Sequence, residues 1–394
     1  MMTVPLKSLR SGLIFSEPVY IDKDNILVPA GVAIRQKDLD QLVSWGINEV
    51  STEGKLLAAA PAADAVAVTA AVKDASNLPV AKKAPPSLTE VKKNTGAYRI
   101  YISLIKALDV IFGKITLRTP VELHAIDIII TRMLQAIWQE RDSIIGYILG
   151  GEVEGYELAK SSINAAILTT LTAQELKLPH HRILLITTAA LLHDVGMLRI
   201  PRAILDKNGG LSNAELQRMQ THPVYTYQII SKELLYPGEV GPIALQHHER
   251  WDGEGYPRRI SGEDIDIGAR IISVVDAFEA MVSQKSYRNL MGGYQAMKSL
   301  LSDNGRRFDP AVLKAFIQTM GIHPIGSIVL LNNGAWARVI EVQKDTPLRP
   351  KLRILADNFG VVQQDEGILV NLLTEKHLYI VRAIEPKELA KKKA

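Results

Sequence analysis

Through the middle of the chain apolar residues recur three or four positions apart, whereas near both ends they alternate in short runs broken by turn residues. The helical period covers residues 98–149, punctuated by Pro120 and Gly150-Gly151, and returns over 154–176, 182–192, 213–220, 227–234, 240–248, 267–283 and 310–319. Such spacing gathers apolar side chains on one helix face, so this span predicts an all-helical bundle. Ahead of it, short runs at 12–15, 19–21 and 26–28, a helix-like 36–45 and a run at 47–50 predict a small α+β module. Beyond His323-Pro324, strand-like runs at 327–331, 335–342, 352–355 and 379–383, with a turn at Asn332-Asn333-Gly334, predict a small antiparallel, barrel-like β module. The stretch after the first module is rich in Ala, Val, Pro and Lys and poor in large side chains, the composition of a flexible linker. The expected chain is mainly α: an α+β accessory domain over 1–54, a linker over 55–95, a helical domain over 96–322 and a β module over 323–386.

Composition narrows the function classes. The chain has 394 residues, 47% hydrophobic, which suits two or three globular domains. Its net charge of +4 is spread thinly apart from a terminal Lys391-Lys392-Lys393 run, so a groove for duplex nucleic acid is not expected. No run approaches the roughly 20 apolar residues of a membrane span, and the first residues lack the apolar core of a signal peptide. The expectation is a soluble cytoplasmic protein. There is no cysteine, which excludes thiolate metal sites and thiol chemistry.

The remaining metal-binding side chains cluster. His193-Asp194 ends an apolar helix-like stretch, His222 follows, and His247-His248 comes 25 residues later. Imidazole with carboxylate is the donor mixture that first-row divalent ions take when no thiolate is offered. Neighbouring helical residues point about 100° apart, so His193 and Asp194 suit two ions bridged by the carboxylate better than one chelated ion. Asp276 sits alone in the apolar run Ile271-Ile272-Ser273-Val274-Val275-Asp276, where a carboxylate is costly unless paired or bound to a cation. His124, His323 and His377 stand alone and read as surface or core residues, and His180-His181 as a solvated loop or cap.

The runs Leu191-Leu192-His193-Asp194-Val195-Gly196 and His247-His248-Glu249-Arg250-Trp251-Asp252-Gly253-Glu254-Gly255-Tyr256-Pro257 resemble the HD-GYP family of cyclic di-GMP phosphodiesterases, within the HD phosphohydrolase superfamily. Ile200-Pro201, His222-Pro223 and Tyr287-Arg288 strengthen the likeness. The resemblance implies an HD-type bundle in which His193, Asp194 and Asp276 hold one metal and Asp194, His222, His247 and His248 hold its neighbour. Asp194 would be the catalytic bridge, with Glu157 as a further metal ligand. Iron or manganese is expected before zinc. Substrate contacts would fall to Lys285 and Arg288, to Arg199, and to the loop residues Gly255, Tyr256 and Pro257, where Tyr256 would stack on substrate or dock a protein partner.

Two positions depart from the family pattern. Ser161, four residues after Glu157, stands where relatives with a third metal carry histidine, so two ions are expected, one weakly held. Met197 replaces a lysine that reaches a phosphate, leaving Arg199 to supply the charge. The implied function is hydrolysis of cyclic di-GMP to pGpG and onward to GMP through a water activated by two metals. The alternative is a catalytically weak receptor that binds a cyclic dinucleotide or a signalling partner. A dimer fits either reading.

Overall fold

The computed structural model describes all residues except 1, 22–25, 29, 35, 45–46, 48, 60–95, 123, 151–154, 208, 284–291, 358–366 and 385–394. The chain divides into two compact units, one of residues 1–83, 330–337 and 351–382 and the other of 84–329, 338–350 and 383–394. The protein is mainly α, with small sheets near the amino terminus and an antiparallel sheet near the carboxyl terminus.

In the first unit, β1 (Met2–Pro5), β2 (Leu13–Phe15), β3 (Val19–Tyr20), β4 (Ile26–Val28), α1 (Gln36–Ser44), β5 (Glu49–Thr52) and β6 (Leu56–Ala59) form the amino-terminal module. Its sheet runs β1-β5-β3-β4, and β2 pairs separately with β6. Phe15, Val19, Val28, Ile34, Leu42 and Val50 make its small core. The expected boundary at residue 54 is too early. Leu13 pairs with Ala59 and Ile14 with Ala58, so the strand lies inside the stretch read as linker. Alanine-rich composition hid it, because pairing there rests on backbone hydrogen bonds rather than large side chains. The rest of the expected linker, 60–95, lies outside the described residues.

The helical unit contains α2 (Gly96–Leu117), α3 (Ala125–Gly150), α4 (Glu157–Glu175), α5 (His180–Leu192), a 3-10 turn at Val195–Arg199, α6 (Arg202–Leu205), α7 (Asn213–Met219), α8 (His222–Gln228), α9 (Val240–Leu245), α10 (Ile267–Val282), α11 (Gly293–Ser302) and α12 (Pro310–Met320). Helix α4 is central: every residue from Ser162 to Ala173 is buried. Helices α5 and α10 bury long apolar faces in the same core, which includes Ile163, Ile186, Leu191, Ile272, Val275 and Phe278. A helix buried on every side, as α4 is from Ser162 to Ala173, needs partners around its whole circumference, and its neighbours supply them. Two expectations shift in detail. His180-His181 open α5 rather than lying ahead of it, and the helix expected over 227–234 is the end of α8 followed by a π turn at Ile229–Glu233.

The carboxy-terminal sheet has five strands: β7 (Ile328–Leu331), β8 (Trp336–Glu341), β9 (Lys351–Ala356), β10 (Leu369–Asn371) and β11 (Ile380–Ala383). Their order is β10-β9-β8-β7-β11, with β10 and β11 at the edges. Strand β10 has no counterpart in the sequence reading, since three residues carry too little alternation to stand out. No helix among the described residues is long and apolar enough to cross a membrane.

Candidate metal centre

Four segments of the helical unit deliver the six side chains. His193 and Asp194 follow α5, His222 opens α8, His247-His248 follow α9, and Asp276 lies within α10. They fall into two groups of candidate ligand atoms, each group within 4.8 Å: Asp194 with His222, His247 and His248, and Asp194 with His193 and Asp276. Asp194 belongs to both, and its two oxygens divide between them. Oδ1 lies 3.2 Å from His222 Nε2 and 3.6 Å from His247 Nε2, while Oδ2 lies 3.5 Å from His193 Nε2. Asp276 Oδ1 is 3.7 Å from the same His193 nitrogen.

Backbone carbonyls decide which imidazole nitrogen is free. His193 Nδ1 donates to Ala190 O at 2.7 Å, His222 Nδ1 to Met219 O at 2.8 Å and His247 Nδ1 to Ala244 O at 2.6 Å. A carbonyl can only accept, so each Nδ1 carries a hydrogen, and in the neutral ring it is Nε2 that presents the lone pair. The Nε2 atoms of His222 and His247 then face one another at 3.4 Å beside a carboxylate oxygen. His193 Nε2 and Asp194 Oδ1 are buried without a hydrogen-bond partner. Converging lone pairs repel unless a cation lies between them, and a divalent metal fits this donor set.

Electrostatics divide the rings: without a cation the carboxylates favour a charged His193, whereas His247 and His248 favour the neutral form. Burial lowers the His193 pKa, but Asp194 and Asp276 outweigh it and raise the group to about 9. Burial disfavours the Asp194 carboxylate, yet His193, His222 and His247 hold its pKa well below the usual carboxylate range. Asp276 is likewise low despite burial, chiefly through His193. Burial pushes His247 down, and burial with His247 as neighbour pushes His248 well down, so both favour the neutral form that binds metal.

Two close backbone approaches hold the segments together. A Cβ on Gly196 would collide with the His222 carbonyl and lie 2.6 Å from Thr226 N, so only glycine lets α8 pack on the turn after Asp194. Thr226 Oγ1 accepts from Gly196 N and donates to His193 O, both at 2.9 Å. A Cβ on Gly255 would collide with Arg250 N and lie 2.6 Å from Glu249 Cα. That contact brings Tyr256 over the centre: its ring lies 4.7 Å from the His248 ring, and its backbone N–H donates to His248 O at 3.2 Å. The Tyr256-Pro257 peptide is cis.

Residues 155–312 match the family model described as HD domain. They form an HD domain. Residues 328–392 match a KOW domain associated with HD domain. The chain is 28% identical over 228 residues to cyclic di-GMP phosphodiesterase PdeB of Borreliella burgdorferi, covering 58% of this chain and 60% of that protein. It is 32% identical over 193 residues to a cyclic di-GMP phosphodiesterase of Pseudomonas aeruginosa, covering 49% and 46%. It is 37% identical over 135 residues to 3'3'-cGAMP-specific phosphodiesterase 2 of Vibrio cholerae, covering 34% and 26%. Each match thus spans less than two thirds of the relative.

Other expected residues of the HD domain fare differently. Glu157 is exposed in the first turn of α4 and joins neither ligand group, because the turn after the left-handed Tyr156 faces it to solvent. Ser161 donates to Glu279 Oε2 at 2.7 Å. Arg199 is held by Glu233, at 2.9 and 3.1 Å to its two oxygens, so it does not supply the free cation expected of it. Lys285 and Arg288 lie outside the described residues. Sequence reading missed Thr226 and Glu279. Thr226 carries no local signal, whereas Glu279 could have been found by the argument applied to Asp276, a lone carboxylate in an apolar helix.

Proposed function

We propose that the HD domain is a metal-dependent phosphodiesterase that opens cyclic di-GMP to pGpG and carries it onward to GMP. The observation that supports this most is the shared anchoring of His193, His222 and His247 through Nδ1, which leaves their Nε2 atoms converging on the two oxygens of Asp194. His193, Asp194 and Asp276 would hold one ion, and Asp194, His222, His247 and His248 the other, with iron or manganese suiting nitrogen and oxygen donors. When bound, such a pair supplies an acidified water and charge neutralisation at a phosphoryl oxygen.

The protein's own part is placement. Asp194 faces both groups at once and fixes their separation, while the carbonyls of Ala190, Met219 and Ala244 lock the rings. Tyr256 covers one side, and burial first, then Asp194 and Asp276, raises its pKa, so its hydroxyl stays protonated and can donate to substrate. Gly255 and Pro257 shape the loop that presents it. Cyclic di-GMP is preferred over 3'3'-cGAMP because the two longer alignments are to enzymes named for it.

A second reading, a receptor with little turnover, is favoured by the Arg199–Glu233 pair together with Met197, since neither position offers an unpaired cation. The test is protein purified without oxygen, loaded with iron or manganese and incubated with cyclic di-GMP and, separately, 3'3'-cGAMP. Linear product from the first, lost in Asp194→Asn together with bound metal, supports the enzyme. Tight binding with no linear product supports the receptor, and a fully loaded protein that neither binds nor cuts either dinucleotide sinks both readings.

A further inference from the structure

Asp276 makes no side-chain hydrogen bond among the described residues; its nearest ionic partner is His193 Nε2 at 3.7 Å. Its position therefore comes from its helix. Three residues further along α10, Glu279 is only 1% exposed. A buried carboxylate is expensive unless donors satisfy it, and here donors do. Ser161 Oγ donates to Oε2 at 2.7 Å, Asn164 Nδ2 donates to Oε1 at 3.0 Å, and the Ser283 hydroxyl donates to Oε1 as well. Tyr101 OH donates to Asn164 Oδ1 at 2.6 Å, which turns the amide so that its N–H faces Glu279.

Ser161 and Asn164 are three apart on α4, the spacing that lets two side chains reach one point, and Glu279 is three from Asp276 on α10. The network thus pins α10 to α4 within one turn of the candidate ligand, and Tyr101 extends the anchor to α2. Apolar packing alone would let α10 slide or rotate by a fraction of a turn. Directional bonds to a carboxylate would not.

We propose that Glu279 is a positioning residue for the ion held by His193, Asp194 and Asp276, fixing α10 on α4 so that Asp276 meets the other two ligands. This rests on reading the cluster as a two-ion centre. On this view Ser161 is part of the device that places Asp276.

The full-length chain is loaded with manganese, and metal stoichiometry, release into a chelator and the magnetic coupling of the ion pair are followed. Glu279→Gln should release one of the two ions about tenfold faster or more, the scale of an outer-shell loss, with the second ion held as before and the coupled signal replaced by that of an isolated ion. Ser161→Ala, which removes one donor, should shift the same ion in the same direction by less. A role confined to overall stability would loosen both ions together. The proposal is overturned if both variants keep both ions at wild-type rates, or lose them in parallel. Should Glu279→Gln fail to fold, Ser161→Ala decides. Wild-type protein that binds fewer than two ions refutes the two-ion reading itself, an outcome distinct from equal retention by the variants.

Discussion

Thr226 joins two backbone groups at the turn that carries His193 and Asp194, accepting from one and donating to the other. Thr226→Val keeps the shape and removes both bonds, so a buried N–H and a buried carbonyl lose their partner. We expect a loss of about 2 to 4 kcal/mol in urea unfolding, recovered largely by Thr226→Ser. An unchanged midpoint would mean that the turn is held by packing alone. Gly196→Ala should be harsher: its Cβ would meet the His222 carbonyl, so α8 must move away, and elemental analysis should find metal lost with His222 displaced. Of the site, His193, Asp194, His222, His247, His248 and Asp276 were legible because their chemistry is unusual in the local sequence. Thr226 was not, since its role depends on a chain segment 30 residues away.

Helix ends show which element signals carry weight. Ser212 and Glu215 form a reciprocal capping box on exposed α7. Asp309, 6% exposed, caps α12 through Ala311 N at 2.8 Å and also binds Arg270 at 2.8 Å. Ser212→Ala should cost about 1 kcal/mol and Asp309→Ala about 3 kcal/mol, because the second also leaves the mostly buried Arg270 unpaired. Chemical denaturation of the two variants checks the order, and equal losses would deny the Arg270 contribution. Both caps can be read from sequence, Ser212 by its glutamate three on and Asp309 by the following proline. The π turn at Ile229–Glu233 cannot, as apolar spacing there fits an ordinary helix equally well.

For the molecule as a whole, stability should depend on acid through a group outside the candidate metal centre. His323 is stacked on Tyr294 with ring centroids 4.7 Å apart, and burial lowers its pKa from the ordinary 6.5 to about 4. Its neutral form is the one the fold prefers. The stabilisation is complete above pH 6.5 and is lost as pH falls through 6.5 towards 4, amounting to about 3 kcal/mol from the two limits. His323→Phe keeps an aromatic ring beside Tyr294 and should flatten the melting temperature over this window in metal-free protein; an unaltered acid slope would exclude His323 as its cause. At this scale the division of labour between sequence and tertiary structure is plain. Periodicity alone determined the helical middle and stranded ends, because burying one face of a helix or strand imposes a repeat on consecutive residues. Residue chemistry determined the ligand types. Only tertiary structure decided that Arg199 is held by Glu233 while Glu157 faces solvent, and that Glu279 anchors α10. Those outcomes depend on which faces of distant segments meet, and the spacing within any one segment does not contain that information.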